Sequence, residues 1–203
     1  MLRTDFARWI AKLVTLCLVS AAHGADKFPD YPVRSASDYP VKAEKAGLVV
    51  GIQPVEDLKE QETYFHTKLT PKGFLPVFIV IQNGTNAESF LFDKTKITLS
   101  SADSGGAGPQ VHSKAGEVTA VASLAAISIV GMVVAVKLIT GATNVQQNIL
   151  KKEVQSKTLS PGQSAHGFLY VSMPKGTPRG MIRLTVPITR AGSDETSVLD
   201  LVF

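Results

Sequence analysis

LPVFIVI, Leu75 to Ile81, carries no polar side chain, and Asn83-Gly84 follows it at once with a turn signal. The run is apolar on both faces, and its neighbours set a β context. The run therefore predicts a strand covered on both faces. Upstream, Leu48, Val50 and Ile52 alternate with Val49, Gly51 and Gln53 until Pro54 closes the run. Thr63 to Leu69 gives a weaker strand signal, stopped by Pro71-Lys72-Gly73. Downstream, Phe90 to Leu99 resumes the period of two, and Ser100 to Pro109 reads as a loop. Beyond a long interruption the turn Ser160-Pro161-Gly162 leads into Phe168 to Met173. Ile182, Leu184, Val186 and Ile188 then alternate with Arg183 and Thr185 on the other face, and Leu199, Leu201 and Phe203 alternate with Asp200 at the end. About seven short strands separated by turns predict a mainly β chain folded as an antiparallel sandwich. No helices alternate with them to support a parallel sheet, and no internal repeat is present.

The interruption is VTAVASLAAISIVGMVVAVKLI, Val118 to Ile139. A helix of this length, uncharged up to Lys137, is within the roughly 17–25 residues that cross a bilayer. Lys137 lies one turn from the end, where its stem can reach the headgroups. Asn144 to Lys157 continues as a polar helical stem. Two membrane arrangements compete. In one, the segment crosses once and leaves the strands before and after it on opposite sides, a bitopic protein. In the other, both sets of strands stay together and the segment is an excursion that contacts lipid or a second copy. Splitting the strands leaves Leu184, Val186, Leu199 and Leu201 wet, which favours the reunited sandwich. A third arrangement packs the segment on the sandwich without lipid. Ser128, Gly131 and Ala135 form a narrow small-residue stripe, the candidate site for helix self-association.

The first residues read as an export signal. Arg3, Arg8 and Lys12 precede the apolar run Ile10 to Ala22, and Ala22-His23-Gly24 supplies the small residues of a cut before Ala25. Trp9 also suits an uncleaved anchor. Residues 1–24 are thus the expected signal peptide, 25–43 an extended Pro- and Asp-rich linker, and 44–203 the sandwich, interrupted over 117–157 by the hydrophobic helix and its stem. Cys17 is the single cysteine and lies within the signal. Bulky Leu16 before it argues against lipid modification, and the processed chain would have no disulfide or thiol nucleophile. The formal charge of +4 falls to about +2 without the signal, with no basic block. Nucleic acid is therefore not an expected partner.

No chemistry-bearing constellation stands out. His66, His112 and His166 lie on separate segments without metal-ligand spacing. Glu56, Asp57, Glu60 and Glu62 cluster in VEDLKEQET. Such carboxylates would serve acid–base hydrolysis only with burial to move one of them, and a solvated loop is the plainer reading. Ser104 to Pro109 holds glycines without the Lys-Ser/Thr of a phosphate cradle. Asn83-Gly84-Thr85 matches a glycan acceptor, but Asn-Gly is first a turn pair. No catalytic, metal or cofactor residues are expected.

LPVFIVIQNGT (Leu75 to Thr85), LSPGQSAHGFLYV (Leu159 to Val171) and IRLTVPIT (Ile182 to Thr189) resemble immunoglobulin-like domains of bacterial envelope proteins. The resemblance spans roughly Gly47 to Leu99 and Leu159 to Phe203. It implies a binding or structural module without naming a ligand. The cysteine pair and core tryptophan of antibody domains are absent. The expectation is a non-enzymatic, exported module of the periplasm or cell envelope. Its expected partners are membrane lipid, through the central segment, and a protein or a second copy. The alternatives are a secreted hydrolase using the carboxylates near Glu56 and the bitopic protein.

Overall fold

The computed structural model describes residues 28–101, 143–172 and 182–203. Among these, nine strands form two antiparallel sheets. The first sheet has the order β1 (Val41–Lys45), β2 (Leu48–Pro54), β3 (Phe74–Asn83) and β7 (Ser164–Ser172). In the second, β4 (Phe90–Phe92) and β5 (Thr98–Ser101) follow one another along one edge of β8 (Ile182–Arg190). There β6 (Lys157–Leu159) flanks β4, and β9 (Thr196–Val202) lines the other edge of β8. A mainly β chain in two sheets is what the alternation predicts.

The inner faces make the main core. Leu48, Val50, Ile52, Val77, Ile79, Ile81, Leu169 and Val171 from the first sheet meet Phe90, Phe92, Leu184, Val186, Ile188, Leu199 and Leu201 from the second. Each such side chain contributes about 1.5–3 kcal/mol by leaving water. The doubly apolar character of LPVFIVI has a structural cause. Val77, Ile79 and Ile81 point into the sandwich, while Phe78 and Val80 belong to a second cluster on the outer face.

Pro187 sits in the central strand β8, where a missing N–H is usually costly. Ile182 exchanges both backbone hydrogen bonds with Phe203 (3.2 and 3.0 Å). Even-numbered residues of β8 therefore direct their N–H groups to β9, and odd-numbered ones to β4 and β5. Pro187 falls opposite the gap between β4 and β5, so no ladder bond is lost.

Strands from both sides of residues 102–142 pair in both sheets. β3 is in register with β7 from Phe74↔Ser172 to Gln82↔Ser164, β4 pairs with β6 and β8, and β5 pairs with β8. This corrects the bitopic arrangement, because strands sharing backbone hydrogen bonds lie on one side of any bilayer.

Four further expectations are corrected. Thr63 to Leu69 is not a strand. Asp57 caps a helix, α1 (Leu58–Phe65), by accepting from the Lys59 and Glu60 N–H groups at 2.8 Å each, and the cap overrides the β preference of Thr63, Tyr64 and Phe65. Phe90 to Leu99 is broken by a 3-10 turn at Lys94–Lys96, where Asp93 accepts from the Thr95 N–H at 3.0 Å. The stem is a shorter helix, α2 (Thr143–Lys152), and the chain is a strand again at Lys157. Residues 28–40 are irregular apart from a 3-10 turn at Ala36–Asp38, yet Tyr31, Ala36 and Tyr39 are buried and β1 begins at Val41. The expected linker is packed on the sandwich over this length.

Candidate functional site

The outer face of the first sheet carries a second core. Phe78 and Val80 of β3 and Phe168 and Tyr170 of β7 project outward and are covered by α1, α2 and the segment 28–40. Tyr31 is wedged among Phe78, Phe168 and Tyr64, with ring centroids 4.6, 5.1 and 4.9 Å away. The tilted and edge-on geometries are those aromatic rings favour. Ala36 lies against Gly51 of β2, where any Cβ would collide with the Ala36 carbonyl. That glycine is what lets the leader approach the sheet.

Polar groups tie these layers together. Lys152, at the end of α2, directs its ammonium to the Phe28 and Pro29 carbonyls and lies 3.7 Å from the Asp30 carboxylate. Its side chain is only 8% exposed. The Tyr170 hydroxyl donates to the Ile149 carbonyl at 2.7 Å, and Asn148 Nδ2 donates to the Tyr64 carbonyl at 2.9 Å. Burial, with Glu153 nearby, pushes the Tyr170 phenol well above its ordinary range. Burial and a hydrogen bond to Glu60 do the same to Tyr31.

Between the leader and the end of α2 a cleft of about 280 Å³ opens over this aromatic floor. Tyr31, Phe78 and Phe168 line its base, exposed Val33 its leader side, and Lys151 and His166 its rim. A second hollow of about 230 Å³ lies on α2 beside Phe28 and Asn144. Asp30, Lys151, Lys152 and Glu153 share the lining, so the cleft sets charged groups around a base that is itself largely buried.

The sheet edges are less open than the alternation suggests. β1 is short, and its exposed Lys42, Glu44 and Lys45 discourage a further strand. The free edge of β7 is partly occupied, because Val154 N–H donates to the Phe168 carbonyl at 3.0 Å and Glu153 bridges Phe168 in parallel. Gly167 permits this crossing, since a Cβ there would meet the Val154 backbone.

The carboxylates near Glu56 are dispersed. Asp57 caps α1, Glu60 faces Tyr31, Glu62 lies 3.4 Å from Lys68, and Glu56 is exposed. His66 ends α1 in the left-handed conformation, and His166 is exposed on β7. Among the described residues no three His, Cys, Asp or Glu side chains gather as a metal site. Asn83 is buried. Its Nδ2 donates to the Glu88 and Leu159 carbonyls at 2.7 and 3.0 Å, and its Oδ1 accepts from the Thr85 N–H and hydroxyl at 3.0 and 2.7 Å. That excludes the glycan reading in the folded state and makes Asn83 a tie between strands.

Ser128, Gly131 and Ala135, with the rest of Val118 to Ile139 and His112, lie outside the described residues, as do the expected signal and Cys17. Among the described residues no helix is long and apolar enough to cross a membrane. The cleft itself is absent from the sequence reading, because its parts come from segments more than a hundred residues apart. Tyr31, Ala36 and Tyr39 in a supposed linker, and aromatic residues on the second face of β3 and β7, are the signals that could have found it.

Comparison with family models, with curated proteins and with solved structures returns no match.

Proposed function

We propose that this chain is a non-enzymatic, exported interaction module of the cell envelope, an immunoglobulin-like sandwich held at a membrane by Val118 to Ile139. The observation that carries the reading is the pairing of β3 with β7 across the apolar segment. With both sets of strands in one sandwich, that segment is an excursion from a folded domain. The sandwich part of the reading is supported by two antiparallel sheets, in which three early strands and a late one share the first and β4, β5, β6, β8 and β9 form the second.

The partner surface is the cleft between the leader and α2. Its aromatic floor and polar rim suit a protein segment bearing an apolar anchor, and the guarded edges make strand addition the poorer route. Lipid is the second partner, met through the apolar segment, and nucleic acid is not one.

Carbonate extraction with separation of inner and outer membranes, together with reporters at Thr95 and Ser197, tests the reading. Both reporters are expected outside the cytoplasm, with the protein retained in the membrane pellet. A freely extracted protein, or a cytoplasmic Ser197, would refute it.

A further inference from the structure

The first part of the leader is held in the manner of a bound peptide. Among the described residues no backbone–backbone hydrogen bond joins residues 28–34 to a strand or helix. Pro29 and Pro32 have no N–H to offer. Side chains do the holding instead. The Tyr31 ring sits between Phe78 and Phe168, the Phe28 ring lies 4.5 Å from His66, and Lys152 donates to the Phe28 and Pro29 carbonyls. Firmer anchoring begins at the 3-10 turn Ala36–Asp38, seated on Gly51, and continues into the β1 ladder. One five-residue pattern also occurs twice here, a pair too short to be a structural repeat. It is Asp30-Tyr31-Pro32-Val33-Arg34 and then Asp38-Tyr39-Pro40-Val41-Lys42. In both, the tyrosine is buried while the aspartate and proline are exposed. Both tyrosine rings rest against Phe78, at 4.6 and 6.2 Å. The outer face of the first sheet thus accepts acid–tyrosine–proline chemistry at two neighbouring places. Their tethers differ. Tyr39 leads within two residues into β1, whereas Tyr31 sits on a strap without a ladder and borders the cleft of about 280 Å³.

We propose that residues 28–33 are an internal ligand of this cleft, released when a segment of another protein with the same acid–tyrosine–proline chemistry takes their place. The inference rests on the cleft being the partner surface, and it names what the partner carries and what gives way to it. The incoming tyrosine takes the position of Tyr31 among Phe78, Phe168 and Tyr64, where tilted and edge-on ring contacts select an aromatic side chain. Lys152 bonds to main-chain carbonyls, which every extended segment offers. Its ammonium beside Asp30, with Lys151 on the rim, favours an acidic residue just before the tyrosine. Prolines on either side stiffen such a segment in advance, so it loses little freedom on binding. Entry is along the side where Asp30 and Val33 are exposed. Departure of the strap breaks no backbone ladder but wets the aromatic floor, so the strap stays closed until a replacement arrives. The partner's apparent affinity is therefore reduced by the fraction of chains whose strap is open.

The test uses the full chain in mild detergent and a fluorescent peptide with blocked ends, FPDYPV, the sequence of Phe28 to Val33. Tyr31→Ala removes the internal anchor and leaves the walls of the pocket in place. It is expected to bind the peptide about tenfold or more tightly than the wild type does. A peptide that itself carries Tyr31→Ala is expected to bind neither protein. On the wild type, excess FPDYPV is expected to raise tryptic cleavage after Arg34 severalfold, a readout that needs no variant to fold. The proposal is overturned if FPDYPV fails to bind a cooperatively folded Tyr31→Ala chain, if both peptides bind equally, or if excess peptide leaves cleavage after Arg34 unchanged. Wild-type dimers that Tyr31→Ala abolishes would also overturn it, because the occupant would then be the leader of a second copy. Membrane location is read separately. Tyrosine-dependent peptide binding by a chain whose Ser197 reporter is cytoplasmic keeps this inference and removes the envelope reading. A membrane-held chain indifferent to the peptide does the reverse.

Discussion

Tyr170 is almost fully buried beneath α2, and its hydroxyl donates to the Ile149 carbonyl. The phenol is neutral when protonated, and burial raises its folded-state pKa above the unfolded value near 10. Its contribution to stability is therefore complete below about pH 10 and is lost as the pH rises towards the folded-state value. Tyr31 acts in the same direction. Urea denaturation from pH 8 to 11 is expected to show stability falling above pH 10. Tyr170→Phe is expected to lower stability at pH 8 by about 1–2 kcal/mol, because the buried Ile149 carbonyl loses its donor. It should also remove up to about 1.4 kcal/mol per pH unit from the alkaline slope. An unchanged slope would mean that the ring reaches water in the native state. At this scale the sequence is a partial guide. Asn83-Gly84 reads as a turn, and three of the Asn83 side chain's four hydrogen bonds stay within five residues, but the fourth, to the Leu159 carbonyl 76 residues away, is encoded by no local pattern.

The leader behaves as an element of the sandwich although it has almost no regular structure. It is held by Tyr31, by the bonds of Lys152 and by the seating of Ala36 on Gly51. Gly51→Ala is expected to push the Ala36 turn off β2 and to raise proteolytic cleavage within residues 28–40 about tenfold, while the far-ultraviolet circular dichroism stays that of the sandwich. Equal protease resistance in variant and wild type would show that Gly51 does not hold the leader. Besides β3, whose run is apolar throughout, the legible elements are those governed by a single face. β2, β8 and β9 display the period of two because one side of each meets the core. α1 is hidden in the sequence because Thr63, Tyr64 and Phe65 favour strands locally, while Asp57 and the buried Gln61 decide the outcome. Gln61 donates to the Val55 carbonyl at 2.7 Å and accepts from the Leu69 N–H at 2.8 Å, a network visible only after folding. The leader's packing is hidden because Pro and Asp mark an irregular backbone, and an irregular backbone can still be buried when aromatic side chains anchor it.

For the molecule as a whole, the question is whether residues 102–142 are needed for folding or only for location. Their two points of attachment lie at one end of the sandwich. Ser101 is in register with Ile182, whose strand follows β7 by way of residues 173–181. At the corresponding end of β7, Ser172 is in register with Phe74, and Phe74 packs in the outer cluster with Val145 from the first turn of α2. An insertion that leaves and returns at one end closes a loop, and the cost of closure grows only slowly with its length. Replacing residues 102–142 with a flexible Gly/Ser linker of about twelve residues, which reaches up to about 40 Å when extended, is therefore expected to leave every strand pair in place. The variant should unfold in one transition, within about 1 kcal/mol of the full chain, and should no longer sediment with membranes if the signal is cleaved. Loss of cooperative unfolding would make the segment part of the core. Retention in the membrane fraction, with the signal shown to be removed, would transfer the anchoring to the sandwich surface.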